Sequence, residues 1–281
     1  MTEKPLHSDN RSLLTTDDII KIKDELIDLV TYILKELRTQ VQDKKDIMFM
    51  YSLARAVTQI ESISTLYNLT HISDCLILYR TQVERLLTLF HLIDSDTIQD
   101  FDDWSFIQNF ETRNKAKSDR EQKDHLNPKF WKESEKRLKR YQRLKYAGVN
   151  WIRPKSDEFE KIAKRHDVFE LYKYGYKYAS GFVHPLASDG EDDFGLVIGM
   201  KARNKVELDT RPIINNALVV FIFIVDFALD EMNFEWNEYV FKFLNSCKDS
   251  IRNGTNCYKE NKRIIDGFRK NNLPIYRKYG N

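Results

Sequence analysis

Two short strings in this chain carry chemically capable residue types at helical spacing. Arg80-x-x-x-Glu84 lies inside the apolar run Leu76–Ile93, and Ser180-x-x-x-His184-Pro185 closes a tyrosine-rich stretch. A spacing of i, i+4 puts both members of each pair on one helix face. The first stripe reads Arg80, Glu84, Leu87 and His91; the second reads Tyr172, Tyr176, Ser180 and His184. An arginine and a carboxylate among Leu, Val and Phe are costly to bury unpaired, so the two stripes are expected to face each other. A guanidinium, a carboxylate, a hydroxyl and an imidazole brought together support metal-free acid/base chemistry. Arg80 would neutralise an anionic phosphate or intermediate, His184 would move the proton, and Glu84 or a tyrosine would orient it. Arg80, Glu84, Ser180 and His184 are therefore the candidate catalytic residues. The competing reading is structural, with Arg80 and Glu84 as a buried lock and His184 capping a helix C-terminus.

The elements that must position these residues read as helices. Ile19, Ile22, Leu26, Leu29, Ile33 and Leu37 keep helical period behind an expected N-cap at Thr16. A second helix carries Ile47, Met50, Ala54, Val57 and Ser64 on one side, and a third, starting near Ser73-Asp74, carries Arg80 and Glu84. The third is apolar nearly all round, the pattern of an enclosed helix. Asp167-x-x-Glu170 has the form of a capping box opening the helix that ends at His184-Pro185. Residues 187–209 hold the chain's clearest non-helical pattern, so a small β-hairpin is expected there. Pro212 suits the first position of the helix containing Ala217–Phe227, and two more helices close the chain. The expected fold is all-α, a multi-helix bundle with a small β-hairpin insertion after the His184-Pro185 helix end. Its parts would be a flexible arm (1–15), the main bundle (16–235) and C-terminal basic helices packed on it (236–281).

Composition narrows the function. At 281 residues, with 31% charged and 42% hydrophobic residues and a formal charge of +2, the chain has the balance of a globular protein with no global field. Nine glycines and six prolines are too few for an all-β fold. Three cysteines at unrelated spacing suit neither a disulfide framework nor a zinc knot, and the expected compartment is the cytoplasm. The nine unbroken apolar residues Ala217–Val225 fall short of the roughly 20 that span a bilayer, so no membrane association is expected. Nucleotide-loop, dinucleotide and zincin motifs are absent from the sequence. The acidic loop Asp189–Asp193 lacks the spaced ligands of a calcium loop, and neither metal nor cofactor is expected.

Charge is local rather than global. Arg113–Lys145 is densely basic, and Lys262–Lys278 less so. Either stretch can meet nucleic-acid phosphates. Arg137, Arg140 and Arg143 are the candidate phosphate contacts, with Tyr176 as a base contact; the plainer reading of both stretches is a solvated charged face.

The pairing of Arg80 and Glu84 in LYRTQVERL with Tyr176, Ser180, His184 and Pro185 in YKYASGFVHP resembles an uncharacterised bacterial domain-of-unknown-function family (DUF5677), over about Leu53 to Leu229. More loosely it resembles the higher-eukaryote-and-prokaryote nucleotide-binding (HEPN) helical domains. Within one helix the HEPN pattern is approached only by Arg85 to His91, with Leu86 at its polar position, so Arg80 and His184 would have to carry it. That resemblance implies a metal-independent ribonuclease or RNA-binding effector of a bacterial defence or stress system. Its expected partners are RNA or another nucleic acid, a protein from the same operon, and a second copy of the chain. The alternative is a non-catalytic helical interaction or regulatory protein in which the same four residues are structural.

Overall fold

A computed structural model describes residues 14–41, 43–118, 135–183, 211–232, 237–253, 263 and 266–267. The described chain is all-α, and no described residue lies in a strand. The β-hairpin expected within 187–209 falls outside the described residues, as do the arm's residues 1–13, His184-Pro185, the acidic loop 189–193 and nearly all of the basic segment 262–278.

Contacts divide the chain into two compact units, Met1–Leu86 with Ala163–Asn281, and Leu87–Ile162. This division is not the arm, bundle and C-terminal extension read from the sequence, because the basic helices near the middle of the chain form their own unit. In the first unit, α1 (Thr16–Gln40) and α2 (Lys44–Asn68) run into the first part of α3 (Ile72–Asp94). The N-cap of α1 is Thr15 rather than Thr16. Its extended backbone lets the hydroxyl accept from the Asp18 amide at 3.2 Å, with Asp17 and Asp18 in the first turn where the helix dipole favours acids. All six apolar residues of the α1 stripe are buried. Each fully buried Leu or Ile contributes roughly 1.5–3 kcal/mol, which makes this face the main stabiliser of the helix.

Two further helices complete the first unit. The first is α8 (Arg211–Glu231), with Pro212 at its second position, and the second is α9 (Asn237–Asn253). Helix α8 packs chiefly on α2, and also on α1 and α9. Phe227 meets Phe49 edge-on at 6.1 Å, and Lys45 pairs with Glu231 at 2.7 Å. Within it, Pro212–Glu231 is long and apolar enough to cross a membrane by length and composition, but 56% of its most apolar window is buried inside the protein.

The second unit holds the end of α3, α4 (Ile98–Ser118), α5 (Glu135–Tyr146) and most of α6 (Ser156–Arg165). Phe110 stacks on Tyr141 at 4.2 Å, and Trp151 sits against Phe101 and Trp104 at 4.7 and 5.2 Å.

Four helices end the same way. Thr70, Asp96, Gly148 and Asp167 take positive φ, and the next amide in each case bonds the carbonyl five residues back. This is the Schellman arrangement, which satisfies the last free carbonyls of a helix. It also explains why Asp167 opens no capping box. Its backbone is committed to ending α6, so the next helix starts at Phe169 behind Val168, without a side-chain cap.

Candidate functional site

The segment after Asp167 is not an ordinary α-helix. Helix α7 (Phe169–Leu171) runs directly into a π-helix (Tyr172–Tyr178) and a 3₁₀ turn (Ala179–Phe182). Short π segments concentrate at functional sites because the wider turn redirects side chains. Here the inward positions are Tyr172, Gly175 and Ala179, all buried. Gly175 is needed for close approach to α3. A Cβ at this position would lie 2.5 Å from Val83 Cγ2 and 2.7 Å from Tyr79 Cζ. No side chain fits there without displacing α3.

This approach brings Ser180 to Arg80. Arg80 Nε donates to Ser180 Oγ at 2.9 Å, and the Ser180 hydroxyl donates to the Tyr176 carbonyl oxygen one turn back. The guanidinium lies 4.8 Å from the Tyr176 ring centre, and its Nη1 is 3.5 Å from Glu84 Oε2. The side chains of Arg80 and Glu84 are 16% and 13% exposed, so the pair borders solvent without being immersed in it. Ion pairs in that setting keep more of their Coulomb energy than exposed ones. Ser180 has its proton committed to a backbone carbonyl, which suits an anchor for Arg80 better than a nucleophile. Among the described residues Nη2 of Arg80 meets no protein acceptor, leaving one edge of the cation able to take a phosphate oxygen. Glu84 makes a further interaction besides that with Arg80. His184, the fourth candidate, lies outside the described residues.

A family model for a family of unknown function (DUF5677) matches residues 46–196, more than half of the chain. The chain belongs to this family. The DUF5677 segment contains Arg80, Glu84, Tyr176, Ser180 and His184, so the whole candidate cluster falls inside it, whereas α8 and α9 follow it. Neither the curated proteins nor the solved structures gave a match.

Other residues of this DUF5677 chain are placed as follows. His91, on the same sequence stripe as Arg80, packs edge-on against Trp151 at 6.3 Å. Burial, with Arg55 adding a smaller effect, lowers the pKa of Arg85. Arg140 donates to Asp102 and Asp103 at 2.8 and 2.7 Å and lies over the Phe106 ring at 4.3 Å. Arg137 lies over the same ring at 5.3 Å. These two arginines are therefore engaged within their own unit, and of the three only Arg143 is an exposed cation. Tyr176 has its ring occupied by Arg80 and by Tyr172, stacked at 5.6 Å. Among the described residues no group of three His, Cys, Asp or Glu is arranged to hold a metal ion.

The sequence reading missed three residues beside the cluster. Gly175 was signalled only as a lone glycine in a tyrosine-rich helix. Tyr79 and Gln82 are buried, and neither the Tyr79 hydroxyl nor the Gln82 amide has a partner among the described residues. Burial alone pushes the Tyr79 phenol well above its ordinary pKa, so it stays protonated.

Proposed function

We propose that this protein acts on RNA in the bacterial cytoplasm as a metal-independent endoribonuclease of a defence or stress system, in the manner of HEPN-like domains. The observation that carries the reading is the Arg80–Ser180 contact, which fixes a half-exposed guanidinium edge beside the end of a π-helix. In this reading Arg80 holds the scissile phosphate and stabilises its added charge. Glu84 and Ser180 fix the arginine, and His184 takes the proton from the 2′-hydroxyl. Attack of that oxygen on the adjacent phosphorus breaks the bond to the 5′-oxygen, which leaves with a proton supplied by solvent. The products are a 2′,3′-cyclic phosphate and a 5′-hydroxyl. Arg143, exposed on α5, remains a candidate phosphate contact. A protein encoded in the same operon, or a second copy of the chain, would regulate access.

One observation favours a second reading. Glu84, Ser180 and Tyr176 all engage Arg80 already, which is what a non-catalytic interaction protein needs to pin its π-helix to α3. Incubating purified protein with mixed RNA, with and without EDTA, separates the two. Cleavage that survives EDTA, yields cyclic-phosphate ends and is abolished in a folded His184→Ala variant supports the enzyme. An intact RNA pool, with His184→Ala costing about 1–3 kcal/mol of stability, supports the structural role.

A further inference from the structure

The outward face of the π-helix repeats one pair of residue types. Lys173-Tyr174 and Lys177-Tyr178 are both exposed, four residues apart on adjacent turns, while Tyr172, Gly175 and Ala179 point into the core. Tyr174 is 49% and Tyr178 58% exposed, unusual for tyrosines in an otherwise well-packed helix. The Lys173 ammonium lies 5.0 Å from the Tyr174 ring centre, and Phe182 supports Tyr178 edge-on at 5.6 Å. Rigid aromatic faces with a lysine beside each are the complement of a polyanion with flat, unpaired bases. A peptide groove would bury its aromatic rings among apolar neighbours, and a duplex offers no free base faces to stack on.

We propose that Lys173, Tyr174, Lys177 and Tyr178 form a two-step platform for single-stranded RNA, each tyrosine stacking on a base and each lysine meeting a backbone phosphate. The platform lies on the same π-helix whose end holds Ser180 against Arg80, so a strand lying along it would be led toward that contact. The proposal rests on RNA being the substrate, and does not depend on cleavage. Tyr176, the tyrosine between the two pairs, is excluded from the platform because Arg80 and Tyr172 take its ring.

The test is fluorescence anisotropy of a labelled single-stranded oligouridine with the full-length protein, its duplex form serving as comparison. Tyr174→Ala and Tyr178→Ala should each weaken single-strand binding roughly ten-fold, and Tyr→Phe at both positions should retain it. Lys173→Gln with Lys177→Gln should flatten the log–log salt dependence by ~1.4, about 0.7 for each phosphate released. Thermal melts should be unchanged in all variants, because the substituted side chains face solvent. Wild-type binding that the alanine variants leave intact would overturn the platform while leaving RNA as the substrate. Equal affinity for single strand and duplex would overturn it as well. An absence of wild-type binding at low salt would overturn both the platform and the RNA reading. Self-association that Tyr174→Ala and Tyr178→Ala abolish, without any RNA binding, would make the face a protein interface and also overturn the proposal.

Discussion

Replacing Gly175 by alanine tests whether the close approach of the π-helix and α3 holds the site together. The new methyl would sit 2.5 Å from Val83 Cγ2 and 2.8 Å from the Tyr79 hydroxyl oxygen, well inside van der Waals contact. Val83 and Tyr79 are almost wholly buried, so neither has space to retreat. Overpacking of this kind costs about 1–3 kcal/mol. Gly175 has an ordinary negative φ, so alanine returns roughly 0.5–1 kcal/mol of helix propensity. The net expectation is a loss of about 1–2 kcal/mol, seen as a urea midpoint that falls at constant slope and a Tm lower by about 2–6 °C. Val83→Ala removes the nearest clashing atom, so the double variant should be less destabilised than the sum of the singles by at least about 0.5 kcal/mol. A Gly175→Ala protein as stable as the parent, or additive with Val83→Ala, would refute the close approach and with it the positioning of Ser180.

Further outcomes are expected elsewhere. Thr70 is a β-branched residue at φ 62°, so Thr70→Gly should raise stability by about 1 kcal/mol in urea unfolding; an unchanged or lower midpoint would count against the α2 ending. Gln82→Leu removes a buried amide without partners among the described residues and should be neutral or stabilising by about 1 kcal/mol; a clear loss would reveal a partner for Gln82. Hydrogen bonds from Lys145 and Tyr141 hold the Glu111 carboxyl below its ordinary 4.5. A depressed folded-state value means this contribution is present above about pH 4.5 and fades as pH falls through the folded value. An NMR titration should show Glu111 moving up toward 4.5 in Lys145→Gln. Cys75 and Cys247 are buried, and burial with the nearby Asp74 charge pushes the Cys75 thiol up to about 11. In a Cys257→Ser background neither should react with a disulfide reagent at pH 8 until the protein unfolds.

The residue pairs of the site could be read in the sequence because both lie within single helices, where spacing fixes direction. Arg80 and Glu84 share a face of α3, and Ser180 does reach them. The helix periodicity of α1 was legible for the same reason, down to a one-residue shift of its cap. The π-helix was not, since seven residues are too few to separate a 3.6-residue period from the wider π turn. Its trace in the sequence is Gly175, and only the neighbouring α3 explains that glycine. The arginines of α5 were misleading because the groups that neutralise them, Asp102 and Asp103, lie 37 and 38 residues away on α4. Asp167 had two competing local uses, ending one helix or opening the next, and the pattern Asp-x-x-Glu cannot tell them apart.

A π-helix is an α-helix that has taken in a residue, and its wider turn stores the history of that insertion in the chain. Deleting one residue between Tyr172 and Tyr178 would let the segment settle into α geometry and turn everything after it by about 100° about the helix axis. Ser180 would then leave Arg80, although every residue of the cluster would still be present. The number of residues between Phe169 and Ser180 thus becomes a heritable character in its own right. In relatives one residue shorter here, the same arginine and serine would stand in the sequence with no contact between them, and a comparison of residue identities alone would miss the difference.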